Sequence, residues 1–332
     1  MPVLLEIKNL NTHFFVKEGI IRAVNGITLN IQKKKTIGLV GESGCGKSIT
    51  ARSILRILPS TAKIMDGEIL LYPDASDSGA KPIDLVRLDP QGKQIRSIRG
   101  KDISMIFQEP MTSLSPVHTV GDQIIEAVLL HQKTTPKQAQ ERAIEMLRLV
   151  GVPLAEKRIH EYPHELSGGL RQRCMIAMAL SCNPRLLIAD EPTTALDVTI
   201  QAQILDLMLK LQQELGMAIM MITHDLGVIA ETAEEVAVMY MGHVVEFADV
   251  DSIFYKPLHP YTQALLNSIP SIGQRGKRLE SITGVVPDAF AIPPGCPFNP
   301  RCSKVIPGLC DVEEIPELKE TSPEHFVACF CV

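Results

Sequence analysis

Three short apolar runs, KTIGLVG, RLLIAD and MAIMMITHD, mark the central part of the chain, at residues 35–41, 185–190 and 217–225. The first run is followed by SITARSILRIL, which has the apolar spacing of a helix. Between the second and third runs, apolar residues recur on one helix face, at Ile200, Ile204, Met208, Leu211 and Leu215. Because buried strands that alternate with helices form mainly parallel sheets covered on both faces, this pattern predicts an α/β fold.

Other patterns flank this core. LLEIKNLNTHFFV and IIRAVNGITLNI near the start are typical of antiparallel strands, and EEVAVMYMGHVVEFA predicts a hairpin that turns at Gly242. VGDQIIEAVLLH and AQERAIEMLRLV each carry an apolar stripe at helical spacing, which predicts a helical insert at about 110–165. Beyond about residue 250 proline becomes frequent and periodicity is lost. We therefore expect one domain over 1–250 and an irregular C-terminal extension over 251–332.

The segment GESGCGKS, residues 41–48, fits the phosphate-loop pattern G-x-x-x-x-G-K-[ST] between a strand and a helix. Its glycines allow backbone N–H groups to converge on phosphate oxygens, and the helix dipole adds positive potential. Lys47 is expected to reach the β- and γ-phosphates, and the Ser48 hydroxyl to ligate Mg²⁺. Cys45 is expected to be a small filler inside the loop. The expected nucleotide contacts are Gly41, Ser43, Gly44, Cys45, Gly46, Lys47, Ser48 and Ile49.

Two carboxylates end the second apolar run. Asp190 can hold Mg²⁺ through water, and Glu191 is placed to polarise an attacking water. His224 ends the third run and could bind the γ-phosphate, although a single histidine at a strand end is more often structural. The alternative is that both acids are solvated loop residues. With the phosphate loop present, they predict a nucleoside triphosphatase.

The segment ELSGGLRQR, 165–173, ahead of LLIADEPTTALD, resembles the signature and Walker B region of ATP-binding cassette (ABC) proteins. The resemblance covers about 1–250, where all the family's motifs occur in order. It implies the ABC-type P-loop fold: a RecA-like, mainly parallel sheet core, an antiparallel β subdomain and a helical insert.

The resemblance also assigns roles to single residues. It implies that Phe14, or its neighbour Phe15, stacks on adenine, and that His224 is the switch histidine. Gln108 in MIFQEP matches the Q-loop, which senses the γ-phosphate and Mg²⁺. The remaining matched residues face a partner subunit in the family, as the signature and the dimer-contacting D-loop: Ser167, Gly168, Gly169 and Asp197.

Two positions depart from the family's pattern. Leu170 stands where the signature usually has glutamine, so the polar contact of that side chain is absent. Thr194 stands where serine is commoner at the start of the D-loop. We expect activity to survive both changes, since Ser167 and the backbone can still bind phosphate.

The signature LSGG opens the helix LRQRCMIAMAL, whose first N–H groups can receive an anion. The chain already has one phosphate loop. A second anion-binding helix end is therefore explained if it contacts the nucleotide bound to another subunit. This predicts a head-to-tail dimer with two ATP molecules between the subunits, which opens after hydrolysis.

Several segments narrow the resemblance to the ATPase subunits of oligopeptide and dipeptide importers: GESGCGKS, FQEPMTSLSP, YPHELSGGLRQR, DEPTTALDVTIQAQIL and PLHPYTQALL. This implies a second ATPase subunit, identical or homologous, and two transmembrane permease subunits. An extracellular peptide-binding protein would act indirectly, and the chain would lie on the cytoplasmic face of the cell membrane. Nickel importers share much of the pattern, and an ABC ATPase without a permease, in DNA repair or on ribosomes, is the remaining alternative.

Composition and charge indicate which partners and which cell compartment suit the chain. The net charge of -5 over 332 residues argues weakly against non-specific nucleic-acid binding, and we expect no nucleic-acid partner. The start, MPVLLEIKNL, places Glu6 and Lys8 where a signal peptide would be apolar. The apolar runs are too short to span a bilayer. We therefore expect a soluble intracellular protein in which disulfides do not persist.

Five of the eight cysteines lie at or after residue 296. They could hold an iron–sulfur cluster, hold zinc or be free thiols. Zinc sites usually use closely spaced C-x₂₋₄-C pairs, which are absent here, whereas iron–sulfur clusters tolerate wider spacing. The extension resembles that of peptide-importer ATPases in which four cysteines carry a [4Fe–4S] cluster. It implies cluster ligation, with Cys331 as an alternative fourth ligand, by Cys296, Cys302, Cys310 and Cys329. The cluster would pin an extension that lacks a large core, with redox sensing as the other interpretation.

Overall fold

The computed structural model describes residues 2–73, 80–108, 113–194, 196–268, 282–312 and 314–332. By contacts the chain separates into two compact units. The first unit comprises 1–4, 31–35 and 87–221, and the second comprises 5–30, 36–86 and 222–332. The division at residue 250 that the sequence predicts stays a prediction.

The strands follow one another along the chain in this order: β1 Val3–Val16, β2 Gly19–Gln32, β3 Thr36–Val40, β4 Ala62–Leu71, β5 Ile83–Asp84, β6 Ile103–Ile106, β7 Leu186–Asp190, β8 Ala218–Ile222, β9 Glu235–Tyr240, β10 His243–Asp249, β11 Lys319–Ser322 and β12 His325–Val327. The helices are α1 Lys47–Ile54, α2 Lys93–Ile98, α3 Val120–His131, α4 Pro136–Leu149, α5 Ala155–Arg158, α6 Gly168–Leu180, α7 Val198–Leu215, α8 Leu226–Thr232, α9 Val250–Tyr255 and α10 Pro260–Asn267. Short 3₁₀ turns cover Leu85–Arg87, Pro163–Glu165 and Asn299–Arg301.

The second unit holds an antiparallel sheet in the order β2-β1-β4-β5. In it β1 pairs with β4, with Leu5 opposite Leu71 and Phe14 opposite Ala62. The same unit holds β3, which pairs in parallel with β9. The strand β9 turns back into β10 at Gly242, whose φ of 82° lies in the region that favours glycine, so the predicted hairpin is present.

In the first unit the strands lie in the order β8-β7-β6, and β6 pairs with β7 in parallel. Every residue of β7 and β8 is buried, which explains why both read as unbroken apolar runs. On α7, Ile204, Met208 and Leu211 of the expected stripe are buried, while its end members Ile200 and Leu215 are half-buried.

The helical insert is present as α3 and α4, which pack together. Both helices begin with capping boxes, in which Thr119 pairs with Asp122 and Thr135 with Gln138. Within the described ranges, no helix is both long enough and apolar enough to cross a membrane.

Part of the extension is more regular than its sequence suggested. The strand β12 pairs with β10, Glu246 lying opposite Val327, and β11 pairs with β12. The side chains of Tyr261 and Phe298 are almost fully buried. A three-residue strand is too short to show a periodicity, so the sequence pattern missed this continuation of the sheet.

Candidate nucleotide-binding site

The phosphate loop in the second unit follows a backbone path that requires glycine. Gly41, Gly44 and Gly46 have φ of 150°, 80° and 106°. A Cβ on Gly41 would lie 2.2 Å from the Met239 carbonyl oxygen, and one on Gly46 would lie 2.2 Å from that of Ala23. No side chain caps α1, which starts directly after Gly46. The loop can therefore cradle phosphate with backbone N–H groups, as its sequence predicted.

Lys47 is buried and lies against its own loop. Its Nζ donates to the carbonyl oxygens of Gly41, at 2.7 Å, and of Glu42, at 3.0 Å. Cys45 is buried within 3.7 Å of this ammonium. Burial raises the pKa of the Cys45 thiol despite the nearby charge, so the residue is a neutral packing group, in keeping with the expected filler.

The other predicted residues of the second unit differ in exposure. Ser43 and His224 are exposed, and Ser48 and Ile49 are half-buried at the start of α1. Phe14 is half-buried on β1. Its neighbour Phe15 is 39% exposed, with the Lys63 ammonium 5.9 Å from the ring centre, so both aromatic rings stay candidates for the adenine contact.

In the first unit, the ends of β6 and β7 bring two predicted catalytic residues together. Gln108 Nε2 donates to Glu191 Oε2 at 2.9 Å, and the Thr194 hydroxyl donates to the same oxygen at 2.9 Å. Asp190, directly before Glu191, is 3% exposed. Glu191 has a φ of 48°, a strained value for a residue with a side chain and one that is enriched at functional sites.

The signature residues form the start of α6. Ser167 caps this helix by accepting a hydrogen bond from Leu170 N at 3.4 Å. The cap uses only the backbone of residue 170, so the leucine at that position does not disturb it. A Cβ on Gly169 would lie 3.1 Å from Ile200, whereas one on Gly168 would meet no atom within 4 Å.

Asp197 caps α7 by accepting from Ile200 N at 3.0 Å. The signature and D-loop residues thus fix the first turns of two helices of the first unit. Their contact with a partner subunit stays a prediction.

Two residues that the sequence reasoning missed contact the phosphate loop from the extension. The Arg301 guanidinium binds the Glu42 carboxylate through two hydrogen bonds, and the Tyr261 hydroxyl accepts a hydrogen bond from Glu42 N. No local pattern could have revealed these contacts, since Glu42 and Arg301 are 259 positions apart.

The five cysteines of the extension differ in burial. Cys296 and Cys310 are buried, Cys302 and Cys329 half-buried, and Cys331 exposed. Burial raises the pKa of Cys296 to about 11 and that of Cys329 to about 12, so these two thiols are protonated near neutral pH.

The predicted [4Fe–4S] cluster has no support in this arrangement. Among the described residues, no group of three or more histidine, cysteine, aspartate or glutamate side chains is arranged to hold a metal ion. The cluster therefore stays a prediction from the sequence resemblance.

Two family models match the chain. Residues 24–194 match the model described as ABC transporter, and residues 245–310 match that of the oligopeptide/dipeptide transporter C-terminal region. The chain belongs to the ABC transporter family. The family membership that the sequence motifs predicted is confirmed, and this ABC protein is an ATPase.

Curated relatives are similar over nearly the whole length of this ABC ATPase. It is 52% identical to the probable peptide ABC transporter ATP-binding protein y4tR of Sinorhizobium fredii, over 99% of this chain and 95% of that protein. It is 53% identical to the oligopeptide transport ATP-binding protein AppD of Bacillus subtilis, over 92% and 90% of the two chains. The dipeptide transport protein DppD of Bacillus subtilis is 48% identical, over 99% and 95%.

Among solved structures, a dimeric, post-hydrolysis state of the ATP-binding cassette MJ0796 bound to ADP and phosphate matches with a TM-score of 0.64 and 28% identity. The match covers 74% of this chain and 99% of the cassette. The predicted ABC-type fold is therefore confirmed.

Proposed function

We propose that this ABC ATPase is the ATP-hydrolysing subunit of an importer for dipeptides or oligopeptides. The observation that carries the proposal is the match of residues 245–310 to the C-terminal region of oligopeptide/dipeptide transporters, beyond the cassette that all ABC ATPases share. The relatives named for peptide transport are similar along this region as well.

The chain's own residues suit an ATPase cycle. The glycine path of 41–48 and the buried Lys47 bind the triphosphate, and Glu191 polarises water for attack on the γ-phosphate. Gln108 and Thr194 hold the Glu191 carboxylate in place. Ser48 in the second unit, and Asp190 and Gln108 in the first, are the predicted magnesium ligands. Each carries an oxygen of a kind that this ion prefers, and the ion would neutralise phosphate charge.

We propose that the signature of each subunit completes the site of its partner. Ser167 and Gly168 are exposed at the start of α6, which suits a contact with the nucleotide of a second subunit. A dimer has been solved for the similar cassette MJ0796. The assembly would add two permease subunits in the membrane and an extracellular peptide-binding protein, and would place this chain on the cytoplasmic face.

Transport by cells that lack this chain tests the proposal. Deletion of the chain is expected to abolish uptake of labelled di- or tripeptides, and the native chain but not a Glu191→Gln variant to restore it. Uptake of labelled nickel, measured in parallel, should be unaffected by the deletion. Normal peptide uptake with lost nickel uptake would instead identify a nickel importer.

The [4Fe–4S] cluster is a finer and separate prediction, carried by the sequence resemblance. In its favour, backbone N–H groups at 3.4 Å donate to the sulfurs of Cys302, Cys310 and Cys329, and such bonds are typical of cluster sulfurs. Against it stands the lack of a metal-holding group in the described parts of the chain. Iron and sulfide analysis of protein purified without oxygen tests whether the cluster is present. Iron together with visible absorption supports the cluster, and colourless, iron-free protein rejects it.

A further inference from the structure

The C-terminal extension contacts the phosphate loop at Glu42. Arg301 ends the turn Asn299–Arg301, and its guanidinium binds the Glu42 carboxylate end-on. Nη1 lies 2.7 Å from Oε2, and Nη2 lies 3.0 Å from Oε1. This bidentate pairing is the strongest geometry available to a side-chain ion pair.

Arg301 is itself fixed by its surroundings. Its Nε donates to the Thr283 carbonyl oxygen at 3.1 Å, and its Nη1 also lies 3.3 Å from the Tyr240 hydroxyl. The guanidinium carbon is 5.8 Å and 5.9 Å from the ring centres of Tyr240 and Phe298. Only 4% of the side chain is exposed. Since a buried charge without a counter-ion is costly, Glu42 is the group that allows Arg301 to sit there.

The extension also holds the backbone of Glu42. Its N–H donates to the Tyr261 hydroxyl at 2.9 Å, and the Tyr261 ring packs on those of Tyr240 and Phe298 at centre distances of 4.6 Å and 5.3 Å. The carbonyl oxygen of Glu42 accepts from Lys47 Nζ at 3.0 Å. A continuous series of contacts therefore links Arg301, through Glu42, to the loop lysine.

The negative charge of Glu42 affects how strongly the phosphate loop attracts the phosphates of a nucleotide. Glu42 is the second residue of a loop whose N–H groups and lysine attract phosphate, and its carboxylate opposes that attraction. With Arg301 in place, the pair is neutral and the loop keeps a positive potential. Without Arg301, an uncompensated carboxylate would lie in the loop and its position would no longer be fixed.

We propose that Arg301 is a positioning residue for ATP binding, which acts through Glu42 by neutralising its carboxylate and fixing the second residue of the phosphate loop. ATP affinity then depends on a correctly docked extension. The inference rests on the proposed binding of nucleotide by residues 41–48.

The test is a titration of the full-length chain with a fluorescent ATP analogue and Mg²⁺. Arg301→Gln is expected to raise the Kd about tenfold, the loss typical of one charge-assisted interaction. Arg301→Lys keeps the charge but not the bidentate geometry, and its Kd is expected to rise about threefold. In ATPase assays of Arg301→Gln, KM should rise by a larger factor than kcat falls.

The double variant Glu42→Gln, Arg301→Gln distinguishes this role from a merely structural one. It also lacks Arg301, yet the repelling carboxylate is gone, so its Kd is expected to recover to within about threefold of the native value, the remainder being the lost fixing of residue 42. A Kd as high as that of Arg301→Gln alone would overturn the proposal, as would a native Kd for Arg301→Gln.

His325→Gln is the matched control. His325 Nε2 lies 2.7 Å from Glu246 Oε1 in a buried pair that anchors the extension to β10 rather than to the phosphate loop. This change is expected to lower the melting temperature without the tenfold rise in Kd, and an equal rise would overturn the role of Arg301. Lys47→Ala tests the underlying assignment separately, because a native Kd in that variant would reject residues 41–48 as the site.

If Arg301→Gln fails to fold, Tyr261→Phe replaces it. This substitution removes only the hydroxyl that holds Glu42 N and leaves the aromatic packing in place. A Kd raised about threefold supports the positioning of Glu42 by the extension, and an unchanged Kd contradicts it.

Discussion

Gln108 and Glu191 are joined by a hydrogen bond of 2.9 Å between the amide nitrogen and a carboxylate oxygen. One residue follows β6 and the other follows β7, two strands paired in parallel, so their side chains emerge at the same edge of the sheet. A residue expected to sense the γ-phosphate thus touches the expected base directly. The state of the Q-loop can therefore set the orientation of Glu191.

Gln108→Ala is expected to lower kcat about tenfold and to change the affinity for Mg²⁺–ATP by a smaller factor. The reason is that Glu191 loses the donor Gln108 Nε2, while residues 41–48 still hold the nucleotide. Phosphate release and nucleotide binding, measured side by side, check this. A large loss of affinity with normal kcat would show instead that Gln108 acts through the metal ion.

Thr194→Val is the matched variant, since it removes the other donor to the same oxygen, at 2.9 Å. We expect a fall in kcat of similar size, and a larger fall when both donors are removed. Normal kcat in the double variant would mean that Glu191 needs neither donor.

Glu191→Gln is expected to retain ATP but to lower its turnover at least about 100-fold, because an amide cannot take a proton from water. The variant should accumulate as a dimer with bound ATP. Phosphate release by the assembled transporter and the elution volume of the chain with ATP are the measurements. Rapid turnover would remove Glu191 from the role of base.

Gly46→Ala is expected to destabilise the fold by about 3 kcal/mol or more. The new methyl group would lie 2.2 Å from the Ala23 carbonyl oxygen at a φ of 106°, so both space and conformation oppose it. Gly44→Ala is the control, since its φ is 80° but nothing lies within 4 Å of the added carbon. That variant should lose only about 1–2 kcal/mol. Urea unfolding of the two variants compares them, and equal losses would contradict the steric argument.

Local features of this protein could be predicted from its sequence, and non-local ones could not. The phosphate loop, the strands before Asp190 and His224 and the hairpin at Gly242 each depend on neighbouring residues, so a short pattern reveals them. The pairing of Arg301 with Glu42 bridges 259 positions, and no pattern within either segment indicates it.

The extension was the least predictable part for the same reason. Two acids of the preceding sequence, Glu42 and Glu246, bind residues of the extension. Glu42 binds Arg301, while the fully buried Glu246 accepts from Leu258 N at 2.7 Å and His259 N at 3.0 Å. The resemblance to peptide-importer ATPases predicted a metal cluster as the organising element, and this stays a prediction. The described residues of the extension show an aromatic and ionic core.

His259 predicts a pH dependence of stability. It is fully buried and caps α10, where its Nδ1 accepts from Tyr261 N at 3.0 Å. Burial lowers the pKa of this histidine from 6.5 to about 4, so the folded chain holds it neutral. The unfolded chain binds the proton more readily, and the free energy of unfolding should therefore fall as the pH drops from about 6.5 towards 4, by at most about 1.4 kcal/mol per pH unit from this residue.

His259→Asn isolates this contribution, because the asparagine oxygen can accept from Tyr261 N but does not titrate. Urea unfolding at pH 7, 6 and 5 is expected to show a smaller loss of stability for the variant than for the native chain over that range. Carboxylates that titrate below pH 5 affect both proteins alike, so the difference between the two slopes reports on His259. Parallel slopes would mean that His259 is already protonated in the folded chain or that its burial is relieved at lower pH.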